Sequence, residues 1–108
     1  MHQVEHIQKQ SKECIPLLEV LTDENRQAII MLLGQHKSGL NVNMIAEHIK
    51  LSRPAISHHL KVLKQNGFVN FEKKGVENYY VLTLQHPLEQ IKSLITAVEA
   101  ECNRFLSD

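Results

Sequence analysis

The 108-residue chain predicts a mainly α-helical fold, α+β in class, with one small β-hairpin. Three observations point there. Apolar residues recur every three or four positions over most of the chain, the spacing of helices with one buried face. A helix with a marked start and stop runs from Leu51 to Gly67. Directly after Gly67 the pattern shifts to short runs of β-branched and aromatic residues around Gly75. Gly and Pro are scarce and Trp is absent, which also favours helices. These elements add up to five or six helices and a two-stranded wing, a winged helix-turn-helix arrangement in one domain over residues 1–108.

The first helix is expected over residues 2–14, with Val4, Ile7 and Cys14 on one side. Pro16 is expected to interrupt it, because proline lacks the N–H and crowds the preceding turn. A short turn from Pro16 to Leu21 then follows. Thr22 is the expected N-cap of the next helix, with Asp23 and Glu24 placing negative charge at its positive end. That helix runs to about Leu33 and stops at Gly34. Ala28, Ile29, Leu32 and Leu33 form its inward face. Ile30 and Met31 make it nearly apolar all round, which predicts the central core helix.

Residues 43–65 read as a helix-turn-helix. Asn43 to Ile49 forms a short helix with Ile45, Ala46 and Ile49 inward, and only Lys50, Leu51 and Ser52 separate it from the next. There, Ser52 is the N-cap and Pro54 sits harmlessly in the first turn. Ile56, Leu60 and Leu63 face the core, with Val62 beside them. Arg53, Ser57, His58, Lys61 and Lys64 fall toward the other face. Hydroxyl, imidazole and cationic groups without a carboxylate suit phosphates and base edges. The second helix of such a pair lies in the DNA major groove.

Residues 68–83 form the wing. Phe68 to Glu72 and Asn78 to Thr83 are the strands, and Lys73 to Glu77 the turn. Lys73 and Lys74 at its tip are placed to reach the backbone or minor groove of flanking DNA. Pro87 starts the last helix, with His86 near its N-cap. Leu88, Ile91, Ile95, Val98, Cys102 and Phe105 keep a heptad-like spacing over ~20 residues, roughly 30 Å. The inner helices already make a core, so this seam predicts a homodimer. The dimer surface is assigned to residues 1–21 and 87–106, through Val4, Ile7 and the six seam residues.

The formal net charge is zero, but it is unevenly spread. Residues 1–47 carry four Lys/Arg and six Asp/Glu, and residues 84–108 two and four. Residues 48–83 carry six Lys/Arg against two Asp/Glu, and no acid occurs from His48 to Phe71. A local basic surface with acidic flanks is the footprint of a double-stranded DNA partner. A winged helix that serves only as a protein-interaction module is the alternative of another class; the acid-free strip argues against it. No apolar run has the length of a membrane span and no secretory signal is evident, so the cytoplasm is the expected location. An enzyme is not expected. There is no nucleophile–base set, no phosphate loop and no complete metal cluster, and Ser57-His58 are helix neighbours that do not face each other. His59 falls at the edge of the buried face; His36 and His48 read as surface residues. His2 and His6, four apart, form at most a weak chelate near the amino terminus. No cofactor is expected.

The blocks L-T-D-E-N-R-Q-A-I-I-M-L-L, S-R-P-A-I-S-H-H-L-K-V-L-K-Q-N-G-F-V and G-V-E-N-Y-Y-V-L stand in order around the tight helix-turn-helix. Over Leu17 to Thr83 the chain resembles the arsenic-repressor type (ArsR/SmtB) winged-helix regulators. The resemblance implies a homodimer built from the first and last helices, an imperfect promoter palindrome as target, and repression relieved by an inducer. Ser57 and His58 match the family's base-facing Ser-His, with Arg53 just before them. The sensory positions depart from the family. Its Cys-Val-Cys motif is replaced by Asn41-Val42-Asn43, and asparagine is a poor ligand for metals that select thiolates. Its last-helix metal site is reduced to Leu84-Gln85-His86, with Ala97 and Ala100 at the later positions. Neither common metal site is expected, and the inducer, the operator and the sign of regulation stay open. Some members sense oxidants or reactive sulfur through a cysteine pair. Cys14 and Cys102, within or across chains, are the corresponding redox alternative, set against a plain packing role.

Overall fold

The computed structural model describes the backbone of residues 2–107 and the side chains of residues 4–104. Its elements are α1 (His2–Thr22), α2 (Glu24–Gly34), α3 (Val42–His48), α4 (Arg53–Gln65), β1 (Val69–Lys74), β2 (Glu77–Leu82) and α5 (Gln85–Ser107). The five helices and the antiparallel pair have the expected class and order.

The first helix differs from its expectation. α1 runs unbroken through Pro16. Cys14, Leu17 and Val20 are all buried, so tertiary packing outweighs the lost hydrogen bond. Pro16 itself is exposed, as is Lys12 one turn before it, so the carbonyl that proline leaves without a donor can bond to water.

Asp23, not Thr22, caps α2. Its Oδ1 accepts from the N–H groups of Asn25 (2.9 Å) and Arg26 (3.0 Å). The bond from Arg26 N–H is the largest cause holding the Asp23 carboxyl below its ordinary pKa; burial opposes it, and the nearby Arg26 and His59 charges and the Asn25 bond add to the lowering. The Thr22 hydroxyl instead donates to the Glu19 carbonyl (2.8 Å) at the end of α1. Within α2, Ile29 and Leu33 are buried, whereas Ala28 is exposed and Met31 is 68% exposed. The inward face is therefore narrower than the composition implies.

One core joins α1, α2, α3, α4 and the base of the wing through Leu17, Val20, Ile29, Leu33, Ile45, Ile56, Leu60, Leu63, Phe68 and Val69, among others. Burying a large aliphatic or aromatic side chain stabilises by about 1.5–3 kcal/mol. The end of α4 is locally determined. Gly67 takes φ +80°, its N–H bonds the Lys64 carbonyl, and the N–H of Phe68 bonds the Leu63 carbonyl (2.9 Å). This is the paired Schellman stop, and the side chains at the two positions it brings together, Leu63 and Phe68, are both fully buried in the same core cluster.

The strands pair from Val69↔Leu82 out to Lys74↔Glu77. Phe68 thus belongs to the core rather than to the strand. The turn shrinks to Gly75 and Val76, with positive φ only at Gly75, as a II′ hairpin requires. A further pairing was not expected. Leu40, before α3, exchanges both backbone bonds with Tyr80 of β2 (3.1 and 2.8 Å), fastening the wing to the start of the helix-turn-helix.

α5 lies along α1. Gln10 Nε2 donates to Ser93 Oγ (3.1 Å), and the Cys14 thiol donates to the Gln90 carbonyl (3.6 Å). No helix among the described residues is long and apolar enough to cross a membrane.

Candidate nucleic-acid interface

The interface begins with how α4 is held. Asn41 caps α3, its Oδ1 accepting from Met44 N–H (2.9 Å), and is itself only 7% exposed. The side chain at the first thiolate-motif position is thus spent on starting a helix. The chain leaves α3 at Ile49 and turns within three residues. Ser52 Oγ then accepts from Ala55 N–H (3.3 Å) and starts α4. Ile56, Leu60 and Leu63 are fully buried and fix the rotation of α4 about its axis.

That rotation leaves Ser52, Arg53, Ser57, His58, Lys61 and Lys64 exposed. Arg53, Ser57, Lys61 and Lys64 follow four-, four- and three-residue steps, so they form one stripe. The ion pairs among the described residues, Arg26–Asp23 and Arg104–Glu101, lie elsewhere. The stripe's cations therefore face solvent unneutralised. Lys73 and Lys74 are exposed as well, in the last two positions of β1 rather than in a wide turn.

The far edge of α4 meets α2. His59 is half-buried, and its Nδ1 lies 3.5 Å from Arg26 Nη1. Arg26 also donates to the carbonyls of Val20 (3.2 Å) and Glu19 (3.3 Å) at the end of α1. One guanidinium thus ties α1, α2 and α4 together. His59 belongs to this joint, while His58 faces outward.

The assigned dimer residues divide. Val4, Leu88, Ile95 and Val98 are 47%, 48%, 52% and 40% exposed, and Cys102 is exposed. Ile7 is half-buried. Ile91 is also half-buried and packs against the chain's own core. The side chain of Phe105 lies outside the described residues. Ile15 and Leu18 of α1 join the exposed apolar set, although their spacing did not single them out.

The cysteines do not meet within one chain. Cys14 is buried beside Gln90, while Cys102 lies twelve residues farther along α5, beside Val4 and Ile7. Twelve residues of helix span about 18 Å. A disulfide needs Cα atoms within about 7 Å, so the within-chain form of the redox alternative is ruled out. Among the described residues, no group of three or more His, Cys, Asp or Glu is placed to hold a metal. The side chain of His2 lies outside the described residues. The rings of His36 and His48 approach to 5.9 Å, and His48 Nδ1 is already within 3.0 Å of the Met44 carbonyl.

Sequence reasoning missed three parts of this site. The Asn41 cap was legible as an Asn before an apolar helix. The Arg26 tie and the Leu40–Tyr80 pairing left no local signal.

Residues 23–70 match the family described as bacterial regulatory protein, arsR family. The chain is 39% identical over 67 residues to the transcriptional repressor SdpR of Bacillus subtilis, covering 61% of this chain and 71% of that protein. It is 29% identical over 80 residues to the transcriptional activator HlyU of Vibrio cholerae, covering 74% and 72%. Among solved structures, an ArsR-like transcriptional regulator from Rhodococcus sp. RHA1 superposes with a TM-score of 0.78 at 28% identity, covering 89% of this chain and 85% of that one.

Proposed function

The chain belongs to the ArsR family of bacterial regulatory proteins, DNA-binding regulators of transcription rather than enzymes, and we propose that it works as a homodimeric repressor on a palindromic operator. The observation that carries the DNA reading is the α4 surface: exposed Arg53, Ser57, His58, Lys61 and Lys64, with no carboxylate paired to it among the described residues. In this reading α4 enters the major groove. Arg53 takes a guanine edge, Ser57 and His58 meet bases or phosphates, and Lys61 and Lys64 hold the backbone. Ser52 meets a phosphate at the helix start, and Lys73 and Lys74 reach flanking DNA.

The dimer is supported by shape and surface. The Cα radius of gyration is 17.3 Å, against about 13 Å for a compact chain of this length. The excess comes from an extended molecule, 59 Å long and 24 Å by 21 Å across. Val4, Ile15, Leu18, Leu88, Ile95 and Val98 leave much of their apolar surface on α1 and α5 uncovered. A second copy covers such a face and sets two α4 helices one DNA turn apart, roughly 34–36 Å. Repression is favoured over activation by the greater identity to SdpR than to HlyU.

The test is binding of the purified protein to its own upstream DNA, with Arg53→Ala plus Ser57→Ala as the contrast. The reading expects loss of specific binding in the double variant, and of repression in a reporter strain. Wild-type affinity in that variant would overturn the α4 assignment.

A further inference from the structure

We propose that Phe71 is a positioning residue for DNA binding: its ring seats the Lys64 ammonium and so fixes the recognition helix against the wing. The inference rests on the DNA-binding reading above. Lys64 Nζ lies 5.4 Å from the centroid of the Phe71 ring, inside the range of a cation–π contact. Phe71 in turn packs on Tyr80, its register partner across the hairpin, at 5.4 Å between ring centroids with a 56° tilt. The backbone of Tyr80 is bonded in both directions to Leu40. A continuous path thus runs from Leu40, two residues ahead of α3, through β2 and β1, to the last turn of α4.

Phe71 is 38% exposed, so its ring is not explained by the core. The ring does something a carboxylate there does not. A glutamate orients a lysine but cancels its charge, whereas an aromatic face orients the ammonium and leaves the whole charge for a phosphate. This matches the acid-free stretch from His48 to Phe71. Lys74 lies over Tyr79 at 5.0 Å, but that pair sits within the hairpin and moves with it. The Lys64–Phe71 contact joins two elements, one meant for the major groove and one for the flanking backbone, so it sets their relative placement.

The experiment is a double-variant cycle read by fluorescence anisotropy on the protein's own upstream DNA. The full-length chains are wild type, Phe71→Leu, Lys64→Ala, the double variant and Phe71→Tyr. Phe71→Leu is expected to raise Kd about two- to fivefold, the worth of an exposed cation–π contact. Phe71→Tyr, which keeps the ring, restores wild-type affinity. In the Lys64→Ala background Phe71→Leu weakens binding no further, because its effect passes through Lys64. An equal weakening in both backgrounds overturns the proposal, since Phe71 then acts through the fold or touches DNA itself. An unchanged Kd in the wild-type background overturns it as well. If wild type shows no salt-sensitive DNA affinity, the DNA-binding reading falls first and takes this inference with it.

Discussion

Replacing Ile95 with glutamate separates the dimer reading from a merely extended monomer. Ile95 is 52% exposed on α5, in the apolar set with Leu88 and Val98. Burying the remaining half of an isoleucine stabilises by about 0.8–1.5 kcal/mol. A twofold interface uses the position twice, which brings the effect to about 1.5–3 kcal/mol. That weakens self-association by about 13- to 160-fold, before the cost of desolvating two carboxylates is added. Sedimentation equilibrium across micromolar concentrations measures the change, with circular dichroism to show that the helices persist. Met31→Glu is the control, because Met31 is 68% exposed but belongs to α2 rather than to α1 or α5. A dimerisation constant for Ile95→Glu within tenfold of wild type refutes the assignment of the α1 and α5 flank.

Three further outcomes follow from named side chains. Asp23→Ala should lower stability by about 1 kcal/mol in urea unfolding, the usual worth of an N-cap. Because the folded Asp23 carboxyl titrates below its ordinary value, its contribution is present above the unfolded pKa and is lost as pH falls through the folded one. Asp23→Asn, which keeps an accepting oxygen, should therefore flatten the acid limb of the stability profile; an unchanged limb would remove Asp23 as its source. Gly39→Ala should cost more than about 1 kcal/mol. Gly39 has φ +92°, and an added Cβ meets the Tyr80 carbonyl and a Val81 methyl at 3.1 Å, so wild-type stability would mean the Leu40–Tyr80 junction is loose. Lys61→Ala should weaken binding alike on specific and random DNA and flatten the log–log salt slope by about 0.9 for each phosphate that Lys61 neutralises; an unchanged slope would place Lys61 off the DNA.

Legibility in the sequence followed the range of the interaction. α4 was readable because its determinants are local: the Ser52 cap, Pro54 in the first turn, the Ile56–Leu60–Leu63 spacing and the Gly67 stop all lie within the helix or at its ends. The exposed stripe is the complement of that buried face, so it was readable too. Pro16 misled because local propensity argued for a break while packing of Cys14, Leu17 and Val20 held the helix together. Asn41 stands out in the sequence as a vacated ligand position, yet its first duty is capping α3. The Leu40–Tyr80 pairing, the Arg26–His59 joint and the seat of Lys64 on Phe71 each depend on how elements meet in space. No spacing within one element encodes them.

The measurement that bears most directly on a DNA-bound dimer is an anisotropy titration of the wild-type protein on its upstream DNA between 50 and 200 mM salt. Lys61, Lys64, Lys73 and Lys74 from two chains bound the log–log slope at about −7, and engagement of half of them gives about −3 to −4. A dimer reading the groove through α4 and the wing predicts two chains per site and a slope in that steeper range on the specific sequence. A single bound chain, or a slope flatter than about −2, would contradict it.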